Sequence, residues 1–240
     1  MHRLWRPPLT GGIHVCGCGH SGTSILTRLI GAHSGIHAIA GESGVAKKES
    51  YRRYRLALER FQRESTEAGC RVWVEKTPKH VRHLRFILNA APDSRIVLIC
   101  REPRDCVASL RRRYGRLGKA LRRWLHDNGR VQRWRHHPQT FLLRYEDLVL
   151  DPQASLERLM PFLGVPFEPQ QLLYYEREVR WYGGDQPAVT DPDHPELRNR
   201  QINQPLFNST GSYSQHLSAA EAERVHRRCR RLARTLGYVG

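Results

Sequence analysis

No run of about 18 apolar residues, the length that crosses a bilayer as a helix, occurs in the 240-residue chain. A membrane-spanning helix is therefore not expected. The first ten residues carry His2, Arg3, Arg6 and two prolines in place of an apolar signal core, so the expected location is cytoplasmic. The chain also lacks any C-x-x-C pair. Its cysteines (Cys16, Cys18, Cys70, Cys100, Cys106 and Cys229) are scattered and fit neither zinc nor dithiol spacing, so they read as reduced thiols, and no metal is expected. Acid is in short supply: 23 Asp+Glu against 40 Lys+Arg leave a formal charge of +17. Such an excess suits an anionic partner, whether nucleic acid, a lipid surface, or a phosphorylated or sulfated small molecule. The remainder, 39% hydrophobic and 26% charged, is ordinary globular composition and excludes a disordered or collagen-like chain.

What is present alternates between two periodicities. A short apolar strand, Gly12 to Cys16, runs into a glycine-rich turn and then an amphipathic helix, Thr23 to Ala32. A helix from Tyr51 to Ala68 precedes a strand, Arg71 to Glu75, and apolar residues at helical spacing mark a helix from His80 to Ala90. Ile96, Val97, Leu98 and Ile99 form the unbroken apolar run of a strand buried on both faces of a parallel sheet. Helices over Asp105 to Tyr114 and Gly118 to His136, a strand over Thr140 to Arg144 and a helix start at Asp151–Pro152 follow. Gln170 to Gln204, with its prolines and glycines, reads as a long loop, and Ser218 to Glu221 is a capping box opening the last helix. The pattern predicts a single α/β domain over residues 1–240, a three-layer fold with helices on both faces of a central parallel sheet.

Gly17-Cys18-Gly19-His20-Ser21-Gly22-Thr23-Ser24 sits between the first strand and its helix. Glycines there let the backbone fold back so that amide N–H groups and the helix N-terminus surround an anion. Against G-x-x-x-x-G-K-[ST], Ser24 fits, but Thr23 replaces the lysine that reaches the β- and γ-phosphates of a nucleoside triphosphate. The strand Ile96 to Cys100 ends in Arg101, a cation where kinases and nucleoside triphosphatases commonly place a carboxylate that helps hold magnesium. Both departures weigh against a P-loop kinase or phosphotransferase, the first alternative. A basic nucleic-acid-binding protein, the second, lacks a recognisable reading module.

Four segments together, Gly17 to Ser24, Glu75-Lys76-Thr77-Pro78, Arg101-Glu102-Pro103-Arg104-Asp105 through Ser109, and Arg144-Tyr145-Glu146-Asp147-Leu148, resemble the sulfotransferases that use 3′-phosphoadenosine 5′-phosphosulfate (PAPS). The match is nearest to the carbohydrate and protein-tyrosine enzymes. The resemblance implies that Gly19, His20, Ser21, Gly22, Thr23 and Ser24 hold the 5′-phosphosulfate, that Arg101 and Ser109 clamp the 3′-phosphate, and that Tyr145 belongs to the cofactor site. It further implies that Lys76 stabilises the transferring sulfonate and that Glu42 is the base, with His37 and His80 in reserve. Many relatives carry lysine or arginine where this chain has His20, which leaves a hydrogen bond from His20 or the loop amides to contact the leaving phosphate. Cytosolic small-molecule enzymes place a histidine at the position of Pro78. Its loss turns the expectation from phenols toward a glycan or protein hydroxyl, a carbohydrate first, with adenosine 3′,5′-bisphosphate (PAP) as product and no specific nucleic acid, membrane or metal partner. Tyr174, Tyr175, Trp181 and Tyr182, interleaved with Arg177, Arg180, Arg198 and Arg200, suit an acceptor-side loop over residues 170–210 that stacks on sugars and pairs with anionic substituents.

Overall fold

Strand β4 (Arg95–Cys100) carries the unbroken apolar run, and it lies inside the sheet with residues 96–100 fully buried. The computed structural model describes residues 10–181 and 199–238. Around β4 stand β1 (Ile13–Gly17), β2 (Ile36–Ala38), β3 (Val72–Lys76) and β5 (Thr140–Arg144), in the order β2-β3-β1-β4-β5 with every pairing parallel. Alternate side chains point to opposite faces. Ile96, Leu98 and Cys100 meet a cluster built with helices α2 (Tyr51–Glu67), α3 (Leu84–Ala90), α4 (Pro103–Tyr114), α5 (Leu117–Trp134) and α8 (Ala219–Thr235). Val97 and Ile99 face a second cluster with α1 (Thr23–Gly31), α6 (Tyr145–Leu150) and α7 (Pro152–Leu163). The expected three layers are thus present, and no helix among the described residues is long and apolar enough to cross a membrane.

The helix signals read from the sequence act as such. Glu102 caps α4 by accepting from Asp105 N at 3.0 Å, with Pro103 in the first turn. Asp151 caps α7 through Ala154 N at 2.9 Å, and both arms of the Ser218–Glu221 capping box form. Several boundaries move. Lys76, expected just after its strand, is the last residue of β3, and the helix expected from His80 starts at Leu84, after a 3-10 turn over Pro78–Arg82. Strand β2 and helix α6 were not expected; at three and six residues they are too short to show a period. The expected loop from Gln170 opens with a 3-10 turn over Pro169–Glu176.

Strand order decides where a ligand can sit. The chain runs from β1 through β2 and β3 on one side and then crosses over to β4 and β5 on the other, so the crevice lies beyond the carboxyl ends of β1 and its neighbours. The glycine loop follows β1, Thr77 follows β3, and Arg101 follows β4.

Candidate functional site

Two glycines of the loop, Gly17 and Gly22, have no room for a larger side chain. A Cβ on Gly22, whose φ is +90°, would come within 2.7 Å of the Tyr145 ring. His20 also takes a left-handed conformation, φ +69°, a geometry that costs a residue with a Cβ about 1–2 kcal/mol. Its return is an aimed ring: His20 Nδ1 lies 2.8 Å from Ser109 Oγ. Beneath the loop, Cys18 and Ser21 pack on Cys106 of α4, so loop and helix form one unit. Helix α1 begins at Thr23, directing its first amides into the same space.

That space is a cavity of about 260 Å³ whose walls include His20, Ser24, Arg101, Ser109, Arg112 and Tyr145. Arg101 is 8% exposed. Its guanidinium lies 4.5 Å from the centre of the Tyr145 ring, and Nη2 donates to Ser209 O at 3.1 Å and Oγ at 3.0 Å. Arg101 Nε has no hydrogen-bond partner, and no carboxylate pairs with the guanidinium among the described residues. The turn that brings Ser209 here is pinned by Asp105, which accepts from Gly211 N and Tyr213 N at 2.8 Å each. Sequence reading passed over Ser209, which also touches Tyr145 OH at 2.7 Å. Nothing in a polar Asn-Ser-Thr-Gly stretch 108 residues from Arg101 signals that contact.

On the β3 side, Lys76 Nζ meets Glu42 Oε1 at 3.0 Å. The lysine is fully buried, and Glu42 keeps 27% of its side chain exposed. Behind them lies a network the sequence did not reveal. Buried Glu75 accepts at Oε1 from Ser43 N (3.3 Å), Ser43 Oγ (2.5 Å) and Thr77 Oγ1 (2.5 Å), while Oε2 faces His14 Nδ1 at 3.4 Å and His80 Nδ1 at 3.1 Å. His14 Nε2 meets Tyr54 OH at 3.0 Å. Two imidazoles and a carboxylate this close could hold a metal, but His80 Nε2 accepts from Ala46 N at 3.3 Å. That bond places the imidazole proton on Nδ1, facing Glu75, where a metal ligand needs a lone pair. Enclosed in this way, His80 is no base for an incoming hydroxyl. His37, the other reserve base, lies half-buried within β2.

Burial would raise the Glu75 pKa, yet His80 and His14 bring it well below the usual carboxylate range. Burial also lowers the His14 pKa beneath 6.5, against the pull of Glu75. An unfolded His14 therefore takes up a proton before the folded one does, and stability must fall as pH drops from about 7 toward 5. Glu75, held well below 4.5 in the fold, adds a slope of the same sign only as pH nears 5 and contributes little by pH 5.5. Urea midpoints at pH 7 and pH 5.5 measure the effect; His14→Asn should shrink the difference between them, and an unchanged difference would exclude His14 as its source.

The aromatic residues expected in the acceptor-side loop divide. Tyr174 and Trp181 are buried against Arg28, whose guanidinium lies 5.8 and 5.7 Å from their rings and donates to Tyr174 O at 2.5 Å and Arg177 O at 2.6 Å. They pack the loop instead of offering a stacking face, whereas Arg177, Arg180 and Arg200 are exposed. Tyr182 and Arg198 lie outside the described residues.

A cation at the end of β4 and an anion cradle after β1 meet in one cavity, and the comparisons bear on what they serve. A model of the sulfotransferase family matches residues 42–169, and a model of the sulfotransferase domain matches residues 111–237. The chain belongs to the sulfotransferase family. This sulfotransferase is accordingly an enzyme that moves a sulfonate group. Its fold is similar to that of the sulfotransferase domain from the curacin biosynthetic pathway (TM-score 0.62, 18% identity, 97% of this chain and 99% of that one). It is also similar to the sulfotransferase domain of the Synechococcus PCC 7002 olefin synthase (TM-score 0.63, 18% identity, 98% and 97%). A mouse sulfotransferase complexed with PAP overlaps as well (TM-score 0.63, 13% identity, 95% and 86%). No curated protein sequence matches the sulfotransferase.

Proposed function

We propose that this sulfotransferase carries the sulfonate of PAPS to a hydroxyl of a carbohydrate and releases PAP. The observation that carries the donor assignment is Arg101: a buried guanidinium lining the cavity, with an unpartnered Nε and no carboxylate, fits a ligand dianion. In this reading Arg101 and Ser109 bind the 3′-phosphate, Tyr145 supports the Arg101 plane, and Gly19 to Ser24 with the first amides of α1 bind the 5′-phosphosulfate. When bound, the donor supplies the sulfonate together with its bisphosphate leaving group. Glu42 accepts the proton of the acceptor hydroxyl, and Lys76 offers positive charge to the group in transit. His20, steered by Ser109, donates a hydrogen bond where relatives place a cation.

The acceptor half of the proposal draws on charge. Lys47 folds back over Gly44, and Lys79 lies close enough to Arg123, Lys47 and Arg82 that these cations, after partial burial, lower its pKa. Asp127 is the carboxylate that Arg82 and Arg123 share. Gathering like charge beside Glu42 and Lys76 supports a sugar that bears an anionic substituent. A cytoplasmic location is supported by the six free cysteines, five of them buried.

A thermal-shift comparison in chelator tests the donor assignment. Adenosine 3′,5′-bisphosphate at a hundredfold excess over its Kd should stabilise the fold by about 2.7 kcal/mol, a midpoint rise of roughly 5–10 °C. Adenosine 5′-monophosphate should give much less. A rise with ATP and magnesium in place of the bisphosphate would overturn the reading in favour of a kinase.

A further inference from the structure

We propose that Glu75 is a positioning residue: one buried carboxylate oxygen ties the segment bearing Glu42 to the strand end bearing Lys76, and so holds the two reacting side chains in register. The inference rests on the roles just proposed for Glu42 and Lys76. It is carried by the pattern of bonds to a single atom. Glu75 Oε1 accepts from Ser43, the residue after Glu42, through both its amide and its hydroxyl, and from Thr77, the residue after Lys76. Thr77 Oγ1 in turn accepts from Gly44 N at 3.0 Å. Three hydrogen bonds therefore stitch residues 43–44 to residues 75–77, and the Thr77–Glu75 bond locks the second segment to itself, directly behind the 3.0 Å Glu42–Lys76 contact.

The rest of the network makes the clamp stiff. Glu75 and His14 are at most 1% exposed, and Oε2 is held from the other side by His14 and His80. His14 is braced by Tyr54 of α2, and His80 by the Ala46 amide in the 3-10 turn over Val45–Lys48. The segment that follows Glu42 is thus anchored to the same unit at two further points, Ala46 and Tyr54. A carboxylate serves where an amide could not, because Ser43 and Thr77 donate to Oε1 while the two imidazoles face Oε2, where an amide would present an NH2 group. The ionised form leaves both oxygens free to accept. An ångström of drift between base and stabiliser is enough to cost on the order of a hundredfold in rate, so a clamp of this kind acts on turnover and leaves nucleotide binding alone.

The test removes the donors and leaves the buried charge in place. PAP release from PAPS is followed with a disaccharide panel as acceptor and, without it, with water. In S43A/T77V, kcat should fall at least thirtyfold while the Kd for PAP stays within twofold of wild type. Amide exchange at Gly44 should accelerate as its acceptor is lost. Thr77→Ser, which restores the hydroxyl, should recover kcat to within threefold of wild type. A double variant with kcat within threefold of wild type, or one whose rate loss is matched by lost PAP affinity, would overturn the clamp. Glu42→Gln measured alongside separates the two ideas. If Glu42→Gln is inactive and the double variant active, only the clamp falls; if Glu42→Gln is fully active, the base assignment falls first. Should T77V not fold, S43A on its half-buried turn carries the same comparison, with a tenfold loss expected.

Discussion

Arg101→Ala is expected to weaken adenosine 3′,5′-bisphosphate binding by 100- to 1000-fold while leaving adenosine 5′-monophosphate affinity within about threefold. The magnitude follows from two charge-assisted hydrogen bonds at about 1.5–3 kcal/mol each, made in a cavity that already excludes much of the water from a side chain 8% exposed. The selectivity follows because only the bisphosphate offers an anion at that end of the cavity. Ser209 would lose its guanidinium partner, so some loss of thermal stability should accompany the change. Isothermal titration with the two nucleotides separates these effects: equal loss for both would show that Arg101 supports the fold without clamping a phosphate. Arg101→Lys should recover little, since a point charge cannot reproduce the planar fork stacked on Tyr145.

The second large effect concerns turnover. Glu42→Gln and Lys76→Met should each lower kcat by 10²- to 10⁴-fold, the range for losing a general base or a preorganised charge, with little change in PAP affinity. Because the two side chains form one ion pair 3.0 Å apart, their losses should not multiply. The double variant should be no slower than the worse single by more than a few-fold. Lys76 is fully buried against Glu42, so Lys76→Met leaves that carboxylate without its partner, and a loss of stability should accompany the lost turnover. A double variant whose defect equals the product of the singles would show that the residues act in separate steps.

The parts of this molecule legible in its sequence are those whose signals are local. The first strand, the glycine loop and its helix occupy consecutive residues, and the Ile96–Ile99 run announces burial on both faces without reference to anything else. Strand β2 escaped because three residues, with His37 in the middle, hold too few positions for alternation. That Lys76 is fully buried was not legible locally, because its contact is with Glu42, 34 residues away. The Glu75 network was illegible for the same reason. His14, Tyr54, Glu75 and His80 converge only because parallel strands β1 and β3 are neighbours, and a parallel neighbour is never near in sequence. The motif beginning at Arg101 was readable as a cation at a strand end, but its unpartnered Nε was not.

The strand order separates two inheritances. Arg101, Ser109 and Tyr145 hang from the β4 and β5 side of β1, whereas Glu42, Lys76 and their buried support hang from the β3 and β2 side. The glycine loop, rooted on β1 itself, is the seam between them. Substitutions between β2 and α2 can therefore accumulate without passing through the proposed nucleotide contacts, and those contacts can be kept while the other side drifts. A lineage built on this sheet can change what it sulfonates and keep what it sulfonates with.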